Sequence, residues 1–505
     1  MDRQRRDYWH RPTIPLNTVE ASLRSKTLAV VVCATAVFGT TATAPAVAAP
    51  PAATAVKSAD SGGSADFNGD GYPDLGITAP TVDVDGVDKA GAFAVVYGSA
   101  SGLRYDNASV INQSSPGVPG EPAENHRWTS AATLDSGDLN NDGYDDLLLH
   151  GIYIFPPLIF WGGQAGIVSS TSTTMPGGDS APDWPRCDIA GVEDANGDGL
   201  DDIVCATDLG ANSASIVSVL SGPFDRTTGK WANAWHRDVL AQDGMQLNAV
   251  GFADTTGDGL ADLLISGRRN NVTVGQVLKG TPTGPVKSQD LTGNAVPFTI
   301  TPSIEAVGDL NKDGYADVAA GWPSVSQVQV IFGGPDGVST TVAPRIINQE
   351  TPGVPGIEEP DDAFGSAVAI TDTDADGYAD LVIGVSGETA TDTATTLRSG
   401  AVTVVRGSAT GLATTGGKTL TQNSAGVPST SENYDRFGTA ISAVDTDQDG
   451  TPEVYVGGHG EDGFTGRVWK LLIGSEGLTG TGSTSFNLGT LGGPKGGYFG
   501  DQFSS

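Results

Sequence analysis

Asp372-Thr373-Asp374-Ala375-Asp376-Gly377-Tyr378-Ala379-Asp380 is an acidic nonamer with carboxylates at positions 1, 3, 5 and 9 and glycine at position 6. It stands between two apolar runs, Phe364 to Ile370 before it and Leu381 to Val385 after it. Short apolar runs bounded by Gly-rich turns read as strands, which makes the nonamer the loop that joins them. A polar stretch then leads to a third strand, Ala401 to Val405, and the turn Gly407 to Leu412 leads to a weaker outer fourth. The unit is a small four-stranded antiparallel sheet.

The nonamer occurs seven times, at intervals of 55 to 73 residues. Position 1 is Asp66, Asp138, Asp194, Asp254, Asp309, Asp372 and Asp445. Position 3 is Asn68, Asn140, Asn196, Thr256, Asn311, Asp374 and Asp447. Position 5 is Asp70, Asp142, Asp198, Asp258, Asp313, Asp376 and Asp449, and glycine always follows it. Position 7 is Tyr72, Tyr144, Leu200, Leu260, Tyr315, Tyr378 and Thr451, and position 9 is Asp74, Asp146, Asp202, Asp262, Asp317, Asp380 and Glu453. Calcium takes six to eight hard oxygen ligands, and a tight loop supplies them from side chains at 1, 3, 5 and 9 and a backbone carbonyl at 7. Glycine at 6 permits the backbone angle that turns those oxygens inward. One such match would be an ordinary Asp/Asn/Gly turn; seven point to up to seven Ca2+ sites, the fourth weakest because Thr256 replaces the Asn or Asp.

A helix–loop–helix hand would add a glutamate at position 12, where this chain has Ile77, Leu149, Ala320 or Ile383. Tandem nonapeptide rolls repeat every nine residues, far closer than these loops. Seven four-stranded units instead imply an all-β fold, a seven-bladed β-propeller. The first loop lacks the Phe-Gly strand that precedes others (Phe364-Gly365, Phe437-Gly438), and Tyr498-Phe499-Gly500-Asp501-Gln502-Phe503 lies near the C-terminus. The C-terminal segment is therefore expected to join the first blade, close the ring and bring Ser505 near Ala65.

The pattern Phe364-Gly365, Asp372-x-Asp374-x-Asp376-Gly377 and Gly400-Ala401-Val402 resembles the FG-GAP repeat of the integrin α propeller and the related bacterial repeats called integrin-like or VCBS-like. The resemblance implies seven blades, calcium in the loops between strands 1 and 2, and ligands met on the opposite face. Integrin α chains carry fewer calcium loops and continue into leg, membrane and tail segments without counterpart here. The family also includes fungal lectins and the propellers of polysaccharide lyases, so the fold alone selects no function.

Composition narrows the partner. Asp+Glu number 60 against 27 Lys+Arg, a net charge of -33, which speaks against nucleic acid and for cations. Basic residues from Arg3 to Lys26, the apolar run Leu28 to Phe38 and the small-x-small Ala46-Val47-Ala48 read as a secretion signal over residues 1–48. A short linker over 49–63 and the propeller over 64–505 follow, with no later membrane span. Cys187 and Cys205 flank the third loop and suit a disulfide in an oxidising compartment.

A recurring insertion, Ser115 to Gly120, Thr351 to Gly356 and Ala425 to Pro428, is read either as a binding rim with Trp128 and Tyr434 or as a Pro/Gly spacer between blades. Histidines occur singly, and no nucleophile elbow, zinc motif or phosphate loop is present. The expectation is a secreted, extracellular, monomeric adhesion or recognition module for protein or glycan, without catalytic residues. The alternatives are a lectin or a calcium-dependent polysaccharide lyase.

Overall fold

The computed structural model describes residues 65–504 except residue 131 and residues 152–153, 177–187, 209–214, 294–304 and 390–396. The expected signal, the linker, Cys187 and Ser505 lie outside these residues. Within them the chain folds into seven antiparallel blades in a ring, a β-propeller with almost no helix. Blade 6 shows the unit: Phe364–Thr371, Asp380–Val385, Ala401–Val405 and Lys418–Leu420 pair in that order. The turn after its third strand is a hairpin, Gly407–Ser408 against Gly411–Leu412. No helix of the described residues is long and apolar enough to cross a membrane.

The second strands are apolar without alternation because each blade is sandwiched between two others. In Leu147-Leu148-Leu149 of blade 2, the outer two leucines pack with Phe93 and Val95 of blade 1. Leu148 points the other way, to Ile203 and Leu220 of blade 3. Period-2 geometry sends successive side chains to opposite faces, so a strand buried on both faces must be apolar throughout. Seven apolar clusters fill the seams, one for each pair of neighbouring blades. The seventh joins Leu75 and Ile77 of blade 1 to Val444, Tyr455 and Phe499 of the last turn of the ring.

Blade 1 has three strands of its own, Leu75–Ala79, Ala92–Tyr97 and Arg104–Asn112. The C-terminal segment supplies the fourth, innermost position. Phe503 bridges Ile77, Thr78 N–H donates to Gln502 O at 3.0 Å, and Ser504 N–H donates to Gly76 O at 2.9 Å. Closure from the C-terminus is as expected.

The Phe-Gly step differs from the expectation in one respect. In blade 7 the inner strand begins at Ala440, and Phe437 bridges Gly400 of blade 6; Phe499 likewise bridges Gly466 of blade 7. Gly365, Gly438 and Gly500 take φ of 86°, 92° and 84°. That left-handed angle, open to glycine without cost, turns the chain from the preceding blade into the new one. The phenylalanine is a buried anchor across the seam, and the glycine is the corner.

Candidate metal-binding loops

All seven nonamers fold alike. The position 1 aspartate accepts the N–H of the position 6 glycine at 2.7 to 2.9 Å in every loop. The position 5 aspartate accepts the N–H of position 7 at 2.8 to 3.2 Å, again in all seven. The position 6 glycines have φ between 83° and 89°; a Cβ on six of them would meet nothing within 4 Å, and at Gly377 it would meet only the flexible end of Lys312, 2.5 Å from Nζ. The backbone angle alone calls for glycine there. Position 4 is also left-handed in every loop, including Asn141, Lys312, Ala375 and Gln448, a strain the sequence pattern did not announce.

Position 9 is the keystone. Asp74, Asp146, Asp202, Asp262, Asp317 and Asp380 are fully buried, and each accepts the N–H of the glycine that ends the third strand: Gly98, Gly162, Gly222, Gly280, Gly333 and Gly407. In loops 1, 5 and 6 the other oxygen takes the N–H of position 2. Burial pushes the carboxyls of Asp74, Asp146 and Asp317 up to about 8 and that of Asp202 to about 7, against the pull of these donors. Glu453 also takes the N–H of position 2, from Thr446, and it pairs with Lys470 Nζ at 2.6 Å.

The loops are also tied to one another. Asp145 N–H donates to Asp66 O, Ala261 N–H to Asp194 O and Ala316 N–H to Asp254 O. The turns after the third strands reach back in the same way, as Gly163 N–H to Phe67 O and Ser408 N–H to Leu310 O. One end of the propeller is thus edged by acidic loops bonded blade to blade.

The donor set suits a hard divalent cation where converging acidic oxygens outnumber any fixed positive partner. Asp372, Asp374 and Asp376 present oxygens within 4.8 Å of one another, as do Asp445, Asp447 and Glu453. In loops 1, 3, 5, 6 and 7 the position 3 oxygen is held inward, accepting the N–H of position 5. Loop 4 is different. Thr256 Oγ1 turns to Asp262 at 3.4 Å, and Lys279 Nζ sits 3.1 Å from Asp258 Oδ2; this loop does not fit the ion as the others do.

At the other end of the blades lie the 4–1 and 2–3 connections, where the recurring insertions run. Val118, Val354 and Val427 of those insertions are buried. A Cβ at Gly117, Gly353 or Gly426 would fall within 2.6 Å of backbone in the following blade. The insertion is therefore a spacer clamped between blades. Trp128 is buried against Phe93 and is no part of an exposed rim, whereas Tyr434 is exposed.

This face also holds buried acids that the sequence reading passed over. Gln422 Nε2 donates to Glu461 Oε2 at 2.6 Å and Ser429 Oγ to Oε1 at 2.8 Å, while Asp435 hydrogen-bonds to Glu461. Two buried acids can share such a bond only through a proton. Blade 6 repeats the arrangement with Gln349 Nε2 on Glu388 at 2.7 Å beside Asp362. The signal was a glutamine one or two residues past each outer strand, Gln113, Gln349 and Gln422; at the first, His126 takes the place of the acid. The other described histidines are also packed on partners, His150 on Asp135, His236 on Ser218 and His459 beside Asp501.

Burial pushes Glu388 and Glu461 up to about 7 and Asp362 to about 6. Acids whose folded pKa is raised contribute stability that is full below the unfolded value near 4.5 and is lost as pH rises towards 7. Melting temperature at saturating calcium is expected to fall between pH 5 and 7.5, and to fall less in a Glu388→Gln/Glu461→Gln variant. Parallel profiles for the two proteins would assign the dependence elsewhere.

Fold and loops together define a repeat propeller edged by acidic turns. The chain carries an FG-GAP repeat: that family's model matches residues 364–405, the inner three strands of blade 6 with their loop. The phosphatidylinositol-glycan-specific phospholipase D of Bos taurus is 32% identical over 164 residues, which cover 30% of this chain and 17% of that protein. Among solved structures, an Agrocybe aegerita lectin described as recognising non-reducing terminal N-acetylglucosamine has a TM-score of 0.36 at 16% identity, over 70% of this chain and 82% of that one. The Dos1 propeller has a TM-score of 0.38 at 10% identity over 79% of each chain. Cys205, buried in blade 3, is disulfide-bonded.

Proposed function

We propose that this is a secreted, calcium-stabilised propeller that binds an extracellular protein or glycan, with calcium structural and recognition on the face away from the acidic loops. The observation that carries the calcium reading is the identical oxygen scaffold at position 1 and position 5 in all seven loops. Such loops gather like charges at short range, and a divalent cation would offset the repulsion and draw on position 7 carbonyls as further ligands. For recognition, the opposite face exposes Ile357, Leu397, Tyr434 and Phe464, side chains whose exposure marks interaction surfaces when they gather. Phe464 lies 5.5 Å from Tyr498, which stacks on His459 at 4.9 Å.

Extracellular calcium modules bind with Kd of about 10⁻⁴ to 10⁻³ M. The melting temperature is therefore expected to rise with calcium across the millimolar range and to drop on chelation. A melting curve indifferent to chelator would end the structural-calcium reading. For the partner, a glycan array and an assay for unsaturated products from uronate polymers separate the readings. Array binding without product supports a lectin, product formation supports a lyase, and neither leaves a protein partner.

A further inference from the structure

The residue just before the glycine bonded to position 9 is Tyr97, Trp161, Ser221, Lys279, Phe332 or Arg406 in blades 1 to 6. Two of the six are basic, and they sit over different loops. Arg406 lies 2.8 Å from both Asp374 Oδ2 and Asp380 Oδ2, but loop 6 has a fourth carboxylate, Asp374, to set against it. Blade 7 reaches the same balance with Lys470 on Glu453 and the extra Asp447. Loop 4 has the cation without the added acid, since Thr256 stands at position 3. Its ammonium takes Asp258 Oδ2, and the threonine hydroxyl takes Asp262, which also receives Thr255 Oγ1.

Loop 2 is the informative contrast. Arg226 from blade 3 reaches Asp142, but it comes from outside the blade, lies over Trp161 at 5.5 Å and leaves Asn140 at position 3. Among the described residues no ion pair reaches the carboxylates at positions 1, 5 and 9 of loops 1, 3 and 5.

We infer that Lys279 is the built-in counter-ion of loop 4 and replaces a divalent cation there, so that the ring holds at most six ions. A lysine ammonium is a compact point charge that delivers three donors to surrounding oxygens. It can therefore do for this loop what the ion does for the others, at fixed occupancy and without dependence on calcium. The inference rests on the calcium reading for the remaining loops. Its consequence is that blade 4 keeps its loop ordered when calcium falls.

The test is ion stoichiometry by native mass spectrometry with calcium alone, together with melting temperature in chelator. The intact protein is expected to bind no more than six ions. Asp258→Asn should leave that number unchanged, whereas Asp70→Asn should remove one. Lys279→Met combined with Thr256→Asn should add one, and Lys279→Met alone should lower the melting temperature in chelator. Seven ions in the intact protein, or the loss of one in Asp258→Asn, overturns the inference while leaving the calcium reading intact. No gain in the double variant also overturns it, because the loop and not the lysine then excludes the ion. No ions in any protein defeats the calcium reading instead; Lys279 as counter-ion then stands or falls on whether Lys279→Met lowers the melting temperature in chelator.

Discussion

Removing residues 498–505 is expected to open the ring and cost about 5 kcal/mol or more. Phe499 is fully buried in the seam between blades 7 and 1, edge-on to Phe486 with ring centres 5.9 Å apart; deleting a buried phenylalanine side chain alone costs about 3–5 kcal/mol. The segment also satisfies Gly76 and Thr78 of blade 1 through Gly500, Gln502 and Ser504. Without it, the strand Leu75–Ala79 becomes an unpaired, apolar edge, the arrangement that templates aggregation. The truncated chain should melt earlier and elute as larger species on size exclusion, and Phe499→Ala should show the loss of stability without the exposed edge. A truncated protein that melts and elutes like the full chain would refute the closure.

The second large effect is expected at position 9. In Asp317→Ala, the buried N–H groups of Leu310 and Gly333 lose their acceptor at once, each having bonded at 2.9 Å. A buried polar group left without a partner costs about 1–3 kcal/mol, so the pair should lower stability by about 4 kcal/mol in denaturant unfolding. Asp317→Asn keeps one oxygen and should lose roughly half as much. Asp313→Asn, on the exposed side of the same loop, should lose less still in chelator, because its main bond there is to the N–H of Tyr315. An Asp317→Ala protein as stable as the parent would mean that these donors find other partners.

Both effects turn on residues whose importance was unevenly visible beforehand. Asp317 belongs to a pattern repeated seven times, and repetition shows at the level of residue spacing. Its burial does not show, because a carboxylate at the end of an acidic turn reads as a solvent-facing ligand. Only the path of the third strand brings Gly333 over it. Phe499-Gly500 was recognisable as a displaced copy of the Phe-Gly step, so the closure was legible. That the phenylalanine crosses the seam, with the glycine as a corner, was not.

On the opposite face the balance is reversed. The Pro-Gly-Val insertions drew notice through their composition, yet they are spacers with buried valines. Gln349 and Gln422, which hold the buried acids Glu388 and Glu461, stand just before those insertions and are marked only by their recurrence past the outer strands. The pairing of Asp435 with Glu461 joins residues from two different connections, a proximity that no spacing along the chain encodes.

The amino-acid sequence by itself determined the strand order, the number of blades, the ring closure and the loops' nine-residue oxygen pattern. These are local or periodic properties, set by side-chain alternation, turn chemistry and repetition. Tertiary structure alone decided which acids are buried, that Lys279 faces Asp258 across the loop, and that Trp128 is core while Tyr434 is surface. Each of those depends on what a neighbouring strand or blade brings within a few ångströms, and that is a matter of packing between segments far apart in the chain.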